Sequence, residues 1–567
     1  MTSKQKIFVV CTALAVFVLS IVVRAFFLGD LAGSICYEME AANRMLHGQV
    51  PFRDFYFDEP LTLVFLRMPA VLLAQLLSGH SSAAVLPFNA IAIASFLEVS
   101  LLATFSFAFC IYTVVTARLD HRRQMQLWFA LIGFAIANFA MGYSYGCAQH
   151  IFCLLFSPYF FLRLTAWLSP VDNSGKTGSH WPGFFAGILA GFAASLDPLF
   201  IIVPITVEAA EFLSRRLLGK ANSVADEFFW LLISFLVSWS YLLQLDQAAL
   251  KELFDWIIPL KITSYYLDQI AYFGLGATPD RRDVIYVCTA AAIVSFGIVN
   301  RLPLLRPIMA LMMAGFVLYQ MGMSGLSSDI LLLIWAICLC FSVQFLYLLE
   351  SSFFSNIARR CPKLSYRRLP KVQSVSLAVV CSLTILTLIS LEIMQRRENV
   401  TVLTGPKAID PTYLELADAF PKYCQAGDSI MILNGRLLPG FPLYSLAEKP
   451  IASYFISTEA FSSLANIEAH NLADHMVGKP FGWIAATKKM MFDRLRSDID
   501  KNRPGVIVVE GGQTFDGLEK AGIIGRILAQ YKCQGEARYH SRCVGAKEFA
   551  DWNYRYNVYD RHSKEQK

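Results

Sequence analysis

The chain has little charge for its length. Only 16% of its 567 residues are Asp, Glu, Lys or Arg, whereas 56% are hydrophobic and the mean hydropathy is +0.48. An ordinary soluble domain carries about 25% charged residues. This composition therefore indicates a polytopic membrane protein rather than a soluble one.

Motifs for metal, redox and nucleotide chemistry are also missing. The 13 cysteines form no CxxC pair and no Cys/His grouping with zinc spacing, and most lie in apolar stretches as small hydrophobic residues. The C-terminal region has no Gly-rich phosphate loop and no nucleophile elbow, so we assign it no chemistry. A Cys533–Cys543 disulfide is one alternative there, since the compartment predicted below permits oxidation.

About eleven apolar spans divide the chain, and most are long enough for a hydrocarbon core of about 30 Å. The first lacks a small-residue cleavage site before Asp30 and is too long for a signal peptide, so it is predicted to be an uncleaved helix. The spans are Ile7–Leu28, Leu86–Thr116, Leu127–Tyr143, Ile151–Leu168, Phe184–Ser195, Leu199–Glu211, Phe228–Leu245, Val284–Val299, Leu305–Met323, Ile330–Leu349 and Val372–Met394.

Basic clusters between the spans set the orientation, because excess Lys and Arg in short loops marks the cytoplasmic side. The clusters are Arg118–Arg123, Arg215–Lys220, Arg301–Arg306 and Arg359–Lys371. They supply most of the net charge of +6, which therefore indicates orientation and contact with anionic lipid rather than with nucleic acid.

One further apolar segment, Pro60–Leu77, decides on which side of the membrane the basic clusters lie. If it does not cross, an N-terminus inside puts all four basic clusters inside; if it crosses, all four lie outside. Arg67 and Pro69 in its middle favour a helix at the membrane interface. To keep the cluster Arg215–Lys220 inside, the chain must also cross the membrane twice, in two short helices on either side of an outward-facing break at Asp197-Pro198. We therefore predict a multi-pass protein of the cell membrane, with the N-terminus cytoplasmic and the C-terminal domain outside.

The predicted architecture is an α-helical polytopic membrane domain, residues 1–397, followed by a soluble extracytoplasmic α/β domain, residues 398–567. The membrane domain has outer loops 29–79 and 246–283. The first loop contains a short amphipathic helix, Ile35–Leu46, and Trp256 places the second loop at the interface. In the tail, predicted strands alternate with predicted helices, which favours an α/β fold. The strands are Ser429–Leu433 and Gly505–Glu510, and the helices are Pro411–Tyr423, Lys488–Lys501 and Phe515–Tyr531.

The helix of the first outer loop carries the candidate base. Glu40 has Arg44 at i+4 on the solvent face, which is typical of a surface ion pair. Glu38 lies at the edge of the apolar stripe, where partial desolvation raises the basicity of a carboxylate. A solvated interfacial glutamate is the alternative. Asp30 is a second candidate catalytic residue, unless it only marks a helix boundary.

Polar residues after this helix are candidates for binding a phosphate-bearing donor. Arg53 and Asp54 either pair with each other or face the donor, since the planar fork of arginine suits phosphate. Asp58 and Glu59 follow and are placed in the same site. Glu98, inside an apolar span, is costly there and has no evident partner.

Three more candidates lie further along the chain. Asp197 sits beside a proline that breaks an apolar stretch, so it either has a function or caps the following helix. Gln149 and His150 stand at the outer mouth of their span. A phosphate or hydroxyl partner is the functional interpretation, and a structural histidine is the alternative.

Three motifs carry a resemblance to a known superfamily. The sequence Tyr37-x3-Ala41-Ala42-x2-Met45-Leu46-x-Gly48-x2-Pro51-Phe52-Arg53-Asp54-Phe55-x4-Pro60-Leu61 resembles the first outer loop of bacterial GT-C glycosyltransferases, which include aminoarabinose transferases and protein O-mannosyltransferases. Gly146-Cys-Ala-Gln-His150 with Pro158-Tyr159, and Gly187-x3-Gly191-x5-Asp197-Pro198, are similar to signatures of an uncharacterised branch. The resemblance covers roughly residues 7–394 and, more loosely, the tail.

The resemblance implies an inverting hexosyl- or pentosyltransferase, in which an outer-loop Asp or Glu acts as base toward an acceptor hydroxyl or amine. The implied partners are a polyprenyl-phosphate sugar, a glycan, lipid or protein acceptor, and membrane lipid. No cofactor is expected, and nothing indicates a divalent metal. The chain departs from the family pattern at Ser34, where an Asp is usual, and at Leu61, Cys147, Ala148 and Asp197. The alternative functions are a lipid or glycan transporter and a non-catalytic partner in envelope assembly.

Overall fold

The structure is a computed structural model. It describes residues 7, 9–18, 33–79, 85–117, 119–139, 145–168, 181–217, 226–263, 305–321, 335–336, 339, 422–425, 427–434, 440–457, 460–461, 463–464, 467, 482–511, 513–541 and 552–561. Several predictions lie outside these residues: the spans Val284–Val299 and Val372–Met394, nearly all of Ile330–Leu349 and Pro411–Tyr423, the candidate Asp30, and Cys543 of the predicted disulfide.

The apolar stretches that the structure describes form helices, with ends a few residues from those predicted. The helices are α1 (Gly33–Leu46), α2 (Leu61–Ser78), α3 (Phe88–Thr116), α4 (His121–Phe139), α5 (Ala148–Leu168), α6 (Trp181–Ala194), α7 (Ile202–Leu217), α8 (Asp226–Ser238), α9 (Gln247–Glu252) and α10 (Leu305–Met321). Among the described residues, four stretches are long and apolar enough to cross a membrane, namely α2, α3, α5 and Asp226–Gln244.

Helix α2 is the segment on which the predicted orientation depends. It continues through Pro69 and ends where Gly79 adopts a left-handed conformation, with φ of 69°. Arg67 is fully buried, so its charge does not face lipid. One argument for an interfacial helix therefore does not apply, and the position of α2 relative to the membrane stays a prediction.

The break at Asp197-Pro198 is confirmed. Helix α6 ends at Ala194, a short 3₁₀ helix covers Pro198–Ile201, and α7 begins at Ile202. Proline removes a backbone donor and fits the first turn of the new helix.

Glycines allow α6 and α8 to pack closely. A side chain at Gly187 would clash with the carbonyl oxygen of Glu227, and one at Gly191 would clash with that of Leu231. The Ser234 hydroxyl donates to the Ile188 carbonyl oxygen across this contact at 2.7 Å. The Gly187-x3-Gly191 motif therefore has a packing role, as small residues do between apolar helices.

The C-terminal region contains a four-stranded sheet in the order β1-β2-β4-β3. Strands β1 (Ile430–Leu433) and β2 (Val506–Glu510) are parallel, whereas β4 (Trp552–Asp560) is antiparallel to both β2 and β3 (Lys532–Ser541). The two predicted strands are confirmed, and the sequence analysis missed the β3–β4 pair. The helices are α11 (Gly440–Ala447), α12 (Trp483–Asn502), α13 (Gln513–Lys520) and α14 (Ile523–Gln530).

The predicted helix Phe515–Tyr531 is wrong as one element. Gly522, with φ of 72°, separates α13 from α14. Its N–H donates to the Glu519 carbonyl oxygen at 2.8 Å, which closes the end of α13. A left-handed glycine is a common helix terminus, because no Cβ opposes that conformation.

Two compact units divide the chain differently from the predicted domains. One comprises Met1–Ala25, Val99–Ser240 and Gly276–Glu398; the other comprises Phe26–Glu98, Tyr241–Leu275 and Asn399–Lys567. The second unit, here called the loop-and-tail unit, thus unites both predicted outer loops with the C-terminal sheet. The first is called the helical unit.

Contacts in the loop-and-tail unit correct two predictions. Helix α1, predicted to be amphipathic, is buried on nearly all sides: Asn43 is 1% exposed and accepts from Gln75 Nε2 at 3.0 Å. Trp256, predicted at the membrane interface, is buried and stacks on Tyr56 at 5.4 Å between ring centroids. In both cases the sequence pattern indicates an apolar environment, and other segments of the protein provide that environment instead of the membrane.

Candidate functional site

The candidate base lies in a buried group of charges, here called the Glu38–Arg67–Glu98 cluster. Arg67 Nε is 2.8 Å from Glu38 Oε2, and Arg67 Nη1 is 2.7 Å from Glu98 Oε2. The three side chains come from α1, α2 and α3. Arg67 shares the buried face of α2 with Leu63, four residues before it, so helical spacing alone turns it inward.

Two carboxylates face one guanidinium in this cluster. Glu38 is 3% exposed and Arg67 is 0% exposed, so water does little to screen the excess negative charge. Burial raises the pKa of Glu38 from 4.5 to about 7; Arg67 opposes the rise, and the charges of Glu59 and Glu98 add to it. A carboxyl group that titrates near neutral pH is suited to accept a proton from a substrate.

Glu98 extends the cluster into the start of an apolar helix. Its second oxygen, Oε1, is buried without a hydrogen-bond partner among the described residues. The prediction found no partner for Glu98, and the structure supplies Arg67. The ion pair between Arg67 and Glu98 therefore explains how two apolar helices can each bury a charged residue.

Asp58 and Glu59 lie beside α1 in the same unit. The Tyr37 hydroxyl donates to Asp58 Oδ1 at 2.9 Å, and Lys261 Nζ lies 3.1 Å from Glu59 Oε1. Burial raises the pKa of Tyr37 well above its ordinary value, so the hydroxyl remains a donor at neutral pH. Lys261 was missed by the sequence analysis, because no local pattern connects the second outer loop to the first.

Arg53 is paired with carboxylates on both edges of its guanidinium group. Nε and Nη2 each donate to Asp54 at 2.9 Å, and Nη1 lies 2.5 Å from Asp246 Oδ2. The pairing of Arg53 with Asp54 is confirmed. A phosphate would bind this fork only by displacing a carboxylate.

The pair Glu40–Arg44 is also confirmed, at 2.9 Å. Its setting differs from the prediction, because Arg44 also donates to the carbonyl oxygens of Ile451 and Ser453 at 3.4 and 3.5 Å. Both side chains are mostly covered, with exposures of 12% and 13%. This pair therefore joins α1 to the C-terminal region rather than facing solvent.

The remaining predicted residues lie in the helical unit and make structural contacts. The Gly146 N–H donates to His150 Nδ1 at 2.9 Å, and His150 Nε2 lies 2.8 Å from Asn138 Oδ1. Gln149 precedes it in the first turn of α5. Asp197 accepts from the Leu199 N–H at 2.8 Å, which is the capping alternative. The structure thus brings Glu38, Arg53, Asp54, Asp58 and Glu59 into one unit and puts Gln149, His150 and Asp197 in the other.

The helical unit contains a second buried cluster that the sequence analysis missed, here called the Arg163 cluster. Arg163 Nε is 2.7 Å from Glu208 Oε1, and its Nη2 also contacts Glu211. The Tyr159 hydroxyl donates to Glu208. Charged residues inside apolar spans are the signal that would have marked it.

Metal binding has no support in the part of the chain that the structure describes. No group of three or more His, Cys, Asp or Glu side chains is arranged there to hold an ion. Among the described residues, Arg67 is the cation that contacts both carboxylates of the Glu38–Arg67–Glu98 cluster.

Comparisons with solved structures give a distant likeness. No family model and no curated protein matches the chain. A structure of the archaeal oligosaccharyltransferase AglB from Archaeoglobus fulgidus, in complex with an inhibitory peptide and a dolichol-phosphate, matches with a TM-score of 0.47 and 10% identity, over 98% of this chain and 76% of that chain. A likeness this weak carries no argument about family or reaction, which leaves the geometry of the cluster to indicate function.

Proposed function

We propose that the chain is a membrane glycosyltransferase that moves a sugar from a polyprenyl-phosphate donor to a glycan, lipid or protein acceptor outside the cytoplasm. The observation that carries the proposal is the state of Glu38. It is a buried carboxyl group on α1 that Arg67 of α2 contacts at 2.8 Å, and burial raises its pKa to about 7. The resemblance of that loop to GT-C glycosyltransferases supports the same conclusion.

The reaction assigned to Glu38 is general-base catalysis. Its carboxylate takes the proton of the acceptor hydroxyl or amine while the acceptor atom forms a bond to the anomeric carbon of the sugar. The bond from that carbon to the phosphate oxygen breaks, and polyprenyl phosphate leaves with the electron pair. Attack opposite the leaving group inverts the anomeric carbon. General-base assistance contributes about 10²- to 10⁴-fold in rate.

Arg67 and Glu98 act as positioning residues in this proposal. Arg67 donates to Glu38 through Nε and to Glu98 through Nη1, so the fork fixes the direction of the Glu38 carboxylate. Arg67 also favours the ionised form of Glu38, while burial favours the neutral form. The balance of the two effects leaves Glu38 basic enough to accept a proton and ionised enough to do so near pH 7.

Cations for the donor phosphate are proposed in the same unit. Lys261 and Arg53 are 45% and 41% exposed, and each is held by carboxylates of the first outer loop. In this arrangement Asp54, Asp58 and Glu59 position the cations and are exchanged for the phosphate when the donor binds. His150 and Asp197 are left out of the site, because their side chains have hydrogen-bond partners within the helical unit. Gln149 belongs to the same unit and is left out with them.

The test compares two glutamates that lie two residues apart on α1. Glu38→Gln removes the base and keeps the shape, so we expect transfer to fall by about 10²- to 10⁴-fold. Glu40→Gln leaves Glu38, Arg67 and Glu98 in place, so kcat at saturating acceptor should change less than a few-fold. The measurement is transfer of radiolabelled sugar by the purified full-length protein in nanodiscs, with polyprenyl-phosphate sugars from a source-cell lipid extract.

The outcome that contradicts the proposal is wild-type turnover by Glu38→Gln. Mass spectrometry of lipids that co-purify with the protein supplies an independent readout, since a polyprenyl-phosphate sugar is expected to be among them. Movement of such a lipid across vesicle membranes without any sugar transfer would instead support the transporter alternative.

A further inference from the structure

A polar cavity in the loop-and-tail unit shares Asp54 with the proposed donor site, and its other lining residues have no role in the proposal above. Its volume is about 1050 Å³, at the upper limit of the size range of pockets that take a ligand of several rings. Helix α12 forms one wall, residues 451–454 form another, and α1 with its following loop contributes Arg44, Gln49 and Asp54.

One face of helix α12 packs into the core, and the opposite face lines the cavity. Its face with Met491, Leu495 and Ile499 packs into the core against the sheet. The opposite face lines the cavity at helical spacing, through Ala486, Lys489, Met490, Asp493, Arg494, Ser497, Asp498, Lys501 and Asn502. Apart from Ala486 and Met490, these residues offer hydrogen-bonding groups of both kinds.

Most of the charges around the cavity are already balanced. Arg44 pairs with Glu40, Arg494 pairs with Glu252 at 3.0 Å, and Asp493 pairs with Arg496 at 2.6 Å. The cavity thus presents neutral donors and acceptors, such as Gln49, Ser497 and Asn502, beside exposed lysines. Such a lining suits a ligand that is rich in hydroxyl groups rather than one with a single strong charge.

The backbone beside the cavity leaves no edge for a peptide strand. The Ile430 N–H donates to the Pro450 carbonyl oxygen, and the Ala452 N–H donates to the Ile430 carbonyl oxygen, each at 2.9 Å. The Tyr56 N–H donates to the Tyr454 carbonyl oxygen, and the Tyr454 N–H donates to Asp498, each at 2.8 Å. Peptides are commonly bound by strand addition or in apolar grooves, and the cavity walls offer neither.

We propose that this cavity binds a carbohydrate acceptor. The inference rests on the proposed function and specifies the acceptor as a glycan rather than a lipid or a protein. Arg44 of the cavity and Glu38 are six residues apart on α1, which is about 9 Å along the helix axis. One rigid helix therefore connects the wall of the cavity with the base.

The test is direct binding to the full-length Glu38→Gln protein in nanodiscs, which separates binding from transfer. Saturation-transfer NMR is measured with maltotriose, chitotriose and trigalacturonate, and with the peptide Gly-Asn-Ser-Thr-Gly, each at millimolar concentration. We expect at least one trisaccharide to bind and the peptide not to bind. Binding of the peptide alone, or of none of the four, overturns the inference.

Two neighbouring alanines provide a matched pair of variants. Ala485 and Ala486 are both exposed, but only Ala486 lines the cavity. Ala486→Tyr and Ser497→Tyr place a ring in the cavity and should weaken trisaccharide binding by about tenfold. Ala485→Tyr should leave it within about twofold. Equal binding by all three variants would exclude the cavity as the site.

Failure of the inference and failure of the proposed function are distinguishable. If Ala486→Tyr and Ser497→Tyr bind less trisaccharide while no form of the protein transfers sugar, the cavity stands and the proposed function falls. If transfer occurs but these variants leave KM for a glycan acceptor unchanged, the proposed function stands and the cavity assignment falls.

Discussion

The two buried charge clusters have nearly the same composition in different surroundings. Each contains one arginine that contacts two glutamates, Arg67 in the loop-and-tail unit and Arg163 in the helical unit. Arg163 and its partners lie on α5 and α7, two apolar helices. Arg67 instead joins an apolar helix to α1, which also borders the polar cavity.

The comparison shows that buried charge alone does not identify a catalytic site. An arginine between two carboxylates is costly to bury and is a structural solution in many proteins. What distinguishes Glu38 is its neighbourhood in the loop-and-tail unit, where Asp58, Glu59 and Lys261 supply further polar groups beside α1. The proposed function therefore depends on the two clusters responding differently to the same substitutions.

The largest expected effect comes from removing each arginine. Arg67→Met and Arg163→Met both leave buried carboxylates unpaired, which typically costs about 3–5 kcal/mol of stability. Thermal unfolding of the purified proteins in detergent should show comparable losses. When the rate of sugar transfer is divided by the amount of folded protein, Arg67→Met should be inactive and Arg163→Met should keep the wild-type rate.

Arg67→Lys guards against a purely structural explanation. Lysine keeps the charge but lacks the planar fork that contacts both glutamates. Because the charge of Arg67 lowers the pKa of Glu38, Arg67→Met should move the pH profile of any residual transfer upward, and Arg67→Lys should restore it in part. Identical pH profiles for the three proteins would remove Arg67 from the mechanism.

A smaller effect is expected from the second carboxylate. Ionised Glu38 is the base, so transfer should fall about tenfold per pH unit below the pKa of about 7 and level off above it. The charge of Glu98 helps to raise that pKa, after burial and Glu59. Glu98→Gln should therefore shift the rising part of the pH–rate profile of transfer to lower pH. Glu211→Gln, the matched change in the Arg163 cluster, should leave that profile unchanged.

Sequence patterns located the proposed base but not its partners. Helical spacing placed Glu38 at the edge of an apolar stripe, and burial of that edge raised its pKa as expected. Arg67 and Glu98 were each recognised as costly, but Arg67 was interpreted as a sign of interfacial depth. Pairs separated by 29 and 31 residues leave no trace in a local pattern, so only the fold brings them together.

In the tail, too, local sequence patterns indicate some strands but not those that depend on a pairing partner. Strands β1 and β2 are short, fully buried apolar runs, which are visible in any sequence. Strand β4 alternates Trp552, Tyr554, Tyr556 and Val558 with polar residues, a period-two signal that was present and overlooked. Its partner β3 has no such regularity and is a strand because β4 pairs with it.

The smallest effect should come from two tyrosines that each donate to a carboxylate. Tyr37→Phe removes the bond to Asp58, and Tyr159→Phe removes the bond to Glu208. Hydrogen bonds to charged groups contribute about 1.5–3 kcal/mol, so both variants should unfold at moderately lower temperature. Only Tyr37→Phe should affect the reaction, because Asp58 also accepts from Lys261 through its carbonyl oxygen at 2.6 Å. If Lys261 binds the donor phosphate, KM for the donor should rise a few-fold in Tyr37→Phe while kcat changes little. A rise of equal size in Tyr159→Phe would mean that the two clusters are coupled, and the contrast between them would no longer locate the active site.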